Sequence, residues 1–119
     1  MYRIYGIRNC NTMKKAFDYL DRHKVPYEFH DYKKQGISPE KLEEWASQAG
    51  WEKLLNRQGT TWRSLDEAVK ATITTEKKAI SLMQEKTSII KRPVIESGNK
   101  IITIGFDEQQ YDTIPWKRD

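Results

Sequence analysis

The stretch YRIYGIRNCNTMKKAFDYL, residues 2–20, changes its hydrophobic period at its cysteine. Before the cysteine, a short apolar run from Tyr2 to Ile7 predicts a β-strand. After it, apolar residues recur every three or four positions from Met13 to Leu20, which places them on one face of a helix. Asn11 or Thr12 is the predicted cap of this helix. The chain therefore begins as a strand that passes directly into a helix.

Further patterns along the chain complete an α/β fold. Alternation over Tyr27–Tyr32 predicts a second strand, parallel to the first because a helix joins them. Helical patterns fill an insertion at about 38–86. Two last strands flank a turn at Ser97–Asn99, and a short helix follows from Asp107 to Tyr111. The prediction is a mixed four-stranded sheet, βαβ then ββα, in one domain spanning residues 1–119.

Within the insertion, local signals predict where helices begin. Ser38 followed by proline is a predicted helix start. Ser64 with Glu67 has the spacing of a capping box. The polar segments 33–36 and 56–61 are predicted to be a turn and a loop.

Composition excludes several classes of protein. The chain has 119 residues and a single cysteine, so no intrachain disulfide can form. Two histidines with one cysteine are too few for a structural zinc site, so no metal and no bound cofactor are predicted. A net charge of +4 predicts an ordinary solvated surface rather than one that binds nucleic acid. No segment predicts a membrane span or a signal peptide, so a cytoplasmic location is expected.

Cys10 is the residue on which a chemical function depends. It stands where a strand passes into a helix, and the free N–H groups and dipole of a helix N-terminus favour a thiolate over a thiol. Arg8, Lys14 and Lys15 add positive charge nearby. A lowered thiol pKa would make Cys10 a nucleophile toward disulfides or electrophilic oxyanions. The alternative is a small buried apolar residue, which is the usual role of a free cysteine.

Two arginines are candidate anion ligands. Arg92 precedes Pro93, a candidate cis peptide bond, and its guanidinium could face the thiolate. An ordinary surface arginine before a trans-proline explains the same residues equally well. Arg57 lies in a polar loop with glycine and threonine, where a solvated arginine is the simpler interpretation.

The absence of a second cysteine determines how an adduct would be resolved. Met13 occupies the position where a Cys-x-x-Cys motif would place its second thiol. A mixed disulfide on Cys10 must therefore be resolved by an external thiol, and glutathione is the expected cytosolic co-substrate.

Several segments, in this order and spacing, resemble the ArsC/Spx-like superfamily of arsenate-reductase-like proteins, and specifically its YffB-like branch. The resemblance runs nearly from end to end. The segments that carry it are Tyr5–Thr12 with Lys14–Ala16, Phe29–Lys33, Trp51–Asn56 with Gly59–Arg63, Leu82–Met83, and Ile90–Val94.

The resemblance implies a thioredoxin-like fold with an all-helical insertion. It also implies that Cys10 is the nucleophile, that Arg92 and Arg57 match two oxyanion-holding arginines of arsenate reductases, and that Pro93 is a cis-proline. The residues predicted to bind the substrate or glutathione are Asn11, Thr12, Lys14 and Pro93.

The chain also departs from arsenate reductases. Those enzymes tend to have a histidine where this chain has Gly6, and a further arginine after the last strand, where residues 104–107 here contain none. The predicted function is therefore a glutathione-dependent thiol/disulfide oxidoreductase that acts on an anionic or disulfide substrate. Two alternatives are a glutathione-dependent arsenate reductase and a non-catalytic Spx-like regulator that binds RNA polymerase.

Overall fold

The computed structural model describes residues 1–118, which form two compact units. The first unit combines Met1–Asp31 with the chain from Arg92 onward, and the second is Tyr32–Lys91. The helical insertion predicted at about 38–86 falls inside the second unit.

The elements follow the order that the sequence predicts. The strands are β1 (Tyr2–Gly6), β2 (Tyr27–Asp31), β3 (Val94–Ser97) and β4 (Lys100–Ile104). The helices are α1 (Asn11–Arg22), α2 (Tyr32–Gln35), α3 (Pro39–Ala49), α4 (Trp51–Leu54), α5 (Thr60–Arg63), α6 (Glu67–Thr72), α7 (Glu76–Glu85) and α8 (Glu108–Tyr111). A single 3-10 turn, Thr87–Ile89, follows α7.

The first unit contains a four-stranded mixed sheet in the order β2-β1-β3-β4. Strand β1 pairs parallel with β2 and antiparallel with β3, and β4 pairs antiparallel with β3. The predicted α/β class and the predicted strand directions are therefore confirmed. Ile4 lies opposite Phe29 on one side and Ile95 on the other, which puts apolar side chains at the centre of the sheet.

The apolar face of α1 packs in the core of this first unit. Met13, Ala16 and Leu20 are completely buried, as their helical spacing predicts. They share one cluster with residues of β1 and with aromatic side chains from the end of the described chain, Tyr111 and Trp116. The position of α1 on the sheet is therefore fixed by burial along its whole length.

Strong local signals in the second unit are confirmed. The Ser38 side chain accepts a hydrogen bond from the Lys41 N–H at 3.1 Å and caps α3. Gly50 ends α3 with a φ of 88°, in the left-handed region that favours glycine.

Three weaker predictions of local structure in the second unit are wrong. Ser64 does not begin a helix; it ends α5, and its hydroxyl donates back to the Thr60 carbonyl at 2.8 Å. Asp66 stands at the start of α6 instead. The segments 33–36 and 56–61 also each contain helical residues, at α2 and at the start of α5, because single helical turns carry no apolar period that a sequence pattern could reveal.

No helix within residues 1–118 is long and apolar enough to cross a membrane.

Candidate functional site

Cys10 is the N-cap residue of α1. Its backbone is extended, with a φ of −148° and a ψ of 130°, and its carbonyl accepts the Lys14 N–H at 2.9 Å. Asn11 and Thr12 are the first residues inside the helix, so the prediction that one of them is the cap is wrong. Cys10 is half-buried and lines a cleft.

Arg92 reaches Cys10 across 82 positions of sequence. Its Nε donates to the Cys10 Sγ at 3.4 Å. Arg92 lies two residues before Val94, the first residue of β3. Because Val94 lies opposite Tyr5 near the end of β1, the antiparallel pairing brings Arg92 to the edge where α1 begins. The peptide bond between Arg92 and Pro93 is cis, as the resemblance implies. Of the two interpretations of Arg92, the structure shows the one in which it faces the sulfur.

The surroundings of Cys10 lower the pKa of its thiol. Burial is the largest single influence and raises that pKa, because it disfavours the charged form. The Met13 N–H, the hydrogen bond and charge of Arg92, and the Thr12 N–H act in the opposite direction and together outweigh burial. The sulfur accepts no capping hydrogen bond from a helix N–H, so the helix acts on it through nearby dipoles, whereas Arg92 contacts it directly.

A cleft of about 590 Å³ opens beside Cys10. It is lined by residues 8–11 and by Lys14, Phe17 and Asp18, so it contains the predicted binding residues Asn11 and Lys14. Asn9, Phe17 and Asp18 are not among the residues that the sequence predicts for the site. Lys14 and Asp18 are four residues apart on α1, a spacing that places both on the same face of the helix. Asp18 could therefore have been predicted to lie beside Lys14.

Gly6 occupies the position at which arsenate reductases tend to have a histidine. A Cβ added to Gly6 would lie 2.6 Å from the Met13 Cε and 3.4 Å from the Arg92 Cβ. The two nearest atoms are the sulfur and methyl group at the end of the flexible, completely buried Met13 side chain, which would have to shift. The space that a larger side chain would need is therefore filled by Met13.

Arg57 belongs to the second unit and is described within it. Its guanidinium carbon lies 5.9 Å from the ring centre of Trp51 and 5.6 Å from that of Trp62. Both distances are within the range of a cation–π interaction. Arg57 is exposed to solvent but lies against two half-buried indole rings, unlike a fully solvated loop arginine.

Replacing Arg57 with alanine is expected to lower the free energy of unfolding by about 1 kcal/mol, because an exposed cation–π contact contributes about 0.5–1 kcal/mol. Urea denaturation followed by tryptophan fluorescence measures this. Arg63→Ala is the matched control, since Arg63 is an exposed arginine of α5. Equal losses in the two variants would show that the tryptophans do not stabilise Arg57.

Within residues 1–118, no group of three or more His, Cys, Asp or Glu side chains is arranged to hold a metal ion. The groups that act on the Cys10 thiol are the Arg92 guanidinium and the N–H groups of the first turn of α1.

Comparison with known proteins finds a matching family model and similar solved structures that point to the same family. The sequence model of the ArsC family matches residues 5–114. The solved structure of the YffB protein is 52% identical, with a TM-score of 0.86 over 94% of this chain and 96% of that one. An arsenate reductase (ArsC) related protein of Brucella melitensis is 45% identical, with a TM-score of 0.77 over 93% and 91% of the two chains.

A more distant relative has a different role. The global transcriptional regulator Spx of Streptococcus mutans is 28% identical over 92% of this chain and 80% of its own length. The set of relatives therefore includes proteins named for reduction and proteins named for regulation of transcription.

Proposed function

Since this chain belongs to the ArsC family, we propose that it is a glutathione-dependent thiol reductase with Cys10 as its only nucleophile. The observation that carries the proposal is the 3.4 Å hydrogen bond from Arg92 to the Cys10 sulfur at the N-terminus of α1. Together with the lowered thiol pKa, it supports a thiolate that forms more readily than that of an ordinary cysteine. A cytoplasmic location, where glutathione is abundant, fits this proposal.

The proposed reaction is the reduction of a disulfide by two glutathione molecules. The Cys10 thiolate attacks one sulfur, the substrate S–S bond breaks, and the released thiolate takes a proton. One glutathione attacks the mixed disulfide and releases the second substrate thiol, which leaves glutathione bound to Cys10. A second glutathione then releases oxidised glutathione and regenerates the Cys10 thiolate. Two glutathione thiols are oxidised for each disulfide reduced.

The remaining predicted site residues have supporting roles in this proposal. Arg92 stabilises Cys10 as attacking and as leaving thiolate, since a hydrogen bond to the charged form favours it. Asn11, Thr12 and Lys14 lie in the first turn of α1 and contact the incoming thiol. Pro93 follows Arg92 through a cis peptide bond and so helps to orient the backbone beside the sulfur.

Arsenate reduction is the second candidate, favoured by the relation to the Brucella melitensis protein. It would use the same thiolate and arginines. The filled space at Gly6 argues against it, because the histidine that arsenate reductases tend to have there would collide with Met13. A turnover assay with millimolar arsenate and glutathione decides between the two reductases.

A role as a regulator that binds RNA polymerase is favoured only by the relation to Spx. Spx-like proteins usually carry a Cys-x-x-Cys switch, and here the second position is Met13, which is completely buried. Retention of polymerase on the immobilised protein would support this role.

The pH dependence of Cys10 alkylation by iodoacetamide tests the proposed function. We expect the rate to follow the thiolate fraction and to reach half its maximum well below the ordinary cysteine value of about 8.5. S-methylglutathione, which cannot form a disulfide, should slow the reaction by occupying the cleft. The same chain in concentrated urea is the control and should titrate near the ordinary value. An ordinary pKa in the folded protein, with no protection by S-methylglutathione, would overturn the proposal.

A further inference from the structure

We propose that Asp18 binds the free ammonium group of the thiol substrate, so that the cleft beside Cys10 selects a zwitterionic peptide thiol. This rests on the proposed function and deepens it. Asp18 would then determine which substrates bind, although the sequence does not predict it as a site residue and it lies outside the first turn of α1.

The charges that line the cleft are arranged in two groups. Arg8 and Lys14 are cationic and lie toward the Cys10 end, whereas Asp18 lies one helical turn beyond Lys14 and is the acidic residue of the lining. Within residues 1–118, Asp18 forms no ion pair. Its carboxylate therefore remains available to a cation that enters the cleft.

Aromatic side chains lie beside the charged residues of the cleft. Burial raises the pKa of Tyr27 to about 12, helped by Asp21 and, more weakly, by Asp18, while Arg8 opposes them. The Arg8 guanidinium lies 5.1 Å from the centre of the Phe29 ring, and the Phe29 ring packs edge-on against Phe17. Phe17 is therefore the aromatic residue of the cleft lining, and Phe29 packs behind it.

The distance along α1 matches an extended γ-glutamyl peptide. Asp18 lies eight positions after Cys10, a rise of about 12 Å along the axis. Side chains lean toward the N-terminus of a helix, so the Asp18 carboxylate lies somewhat closer to Cys10 than that. In glutathione the amino nitrogen is about eight bonds from the sulfur, about 10 Å when extended.

Charge matching explains why such a ligand would be preferred. Glutathione carries two carboxylates and one ammonium group, which complement the two cations and the one anion of the lining. An inorganic oxyanion has no positive group, and Asp18 would repel it. The same carboxylate therefore favours the peptide thiol and disfavours a small anion.

The test compares two disulfides that differ only in the charge of the amino group. Oxidised glutathione and its N-acetylated form are each reacted with the thiolate at low ionic strength, and the second-order rate constants are measured. Wild-type protein should react roughly threefold to fivefold faster with the free-amine form, the size expected of an exposed ion pair. Asp18→Asn should lose this preference, and high salt should reduce it.

Asp21→Asn is the matched control. Asp21 is also an acidic residue of α1, but it accepts a hydrogen bond from Tyr27 and does not line the cleft. It should keep the preference. Iodoacetamide, which is neutral, should alkylate wild-type and Asp18→Asn protein at equal rates, which separates ligand selection from thiol reactivity.

Equal reactivity of wild-type protein toward both disulfides, with a lowered thiol pKa, would overturn the role of Asp18 and leave the proposed function standing. If the Asp18→Asn variant still reacted faster with the free-amine disulfide, the role of Asp18 would likewise be overturned and the proposed function would stand. Failure to react with either disulfide, with an ordinary thiol pKa, would overturn both.

Discussion

Replacing Arg92 with methionine is expected to raise the pKa of the Cys10 thiol and to slow its alkylation at pH 6 by about tenfold. Hydrogen bonds to charged groups contribute about 1.5–3 kcal/mol. We take the low end of that range because the half-buried sulfur is partly screened by water. Methionine keeps the length and the apolar stem of arginine but supplies neither a donor nor a charge.

The measurement is the alkylation rate by iodoacetamide between pH 5 and pH 10. Above the raised pKa the two proteins should react at similar rates, since both are then thiolates. Arg22→Met is the control, because Arg22 lies at the opposite end of α1 and pairs with Glu108. An unchanged profile for Arg92→Met would show that the 3.4 Å contact does not stabilise the thiolate.

The same contact makes the free energy of unfolding depend on pH. The folded-state pKa of Cys10 is lowered, so its contribution is fully present above the unfolded-state pKa of about 8.5 and is lost as the pH falls through the lower folded-state value. The free energy of unfolding of the wild type, relative to Cys10→Ala, should therefore rise with pH across that window. Urea denaturation of both proteins at several pH values measures the difference.

Elements with a strong period or a clear cap could be predicted from the sequence. The apolar face of α1 and the alternation of β2 each depend on burial of one face, which leaves a repeated signal along the chain. Ser38 was predictable because its side chain acts on a backbone N–H three residues away. The helices α2 and α5 have four residues each, too few for any period, and were missed.

The candidate site likewise has a part that could be predicted from neighbouring residues and a part that depends on contacts between residues far apart in sequence. Cys10 could be identified because its neighbours in sequence already indicate the end of a strand and the start of a helix. Its contact with Arg92 depends on strand pairing between residues about 90 positions apart, and no pattern within either segment reports that. The two tryptophans that flank Arg57 were likewise not predictable as its partners, because their relation is set by how α4 and α5 pack.

Replacing Gly6 with alanine is expected to lower the free energy of unfolding by about 1–3 kcal/mol, the usual cost of overpacking a filled core. The new methyl group would lie 2.6 Å from the Met13 Cε, and Met13 is completely buried. The methyl would also lie 3.4 Å from the Cβ of Arg92, the residue whose guanidinium contacts the Cys10 sulfur. Urea denaturation measures the loss, and the alkylation profile reports whether Arg92 has moved.

A double-mutant cycle with Met13→Ala shows whether the collision is the cause. Met13→Ala alone should cost about 2–5 kcal/mol by leaving a cavity. In the double variant, the methyl group added at position 6 enters that cavity, so the combined loss should be smaller than the sum of the two single losses. Simple additivity would show that the contact with Met13 is not the cause of the loss, and would leave the close approach to the Arg92 Cβ as the cause. If the cycle shows coupling, the larger histidine of arsenate reductases could be introduced at position 6 only together with a smaller residue at position 13. The side chains that can stand beside Cys10 would then be limited by how Met13 packs in the core.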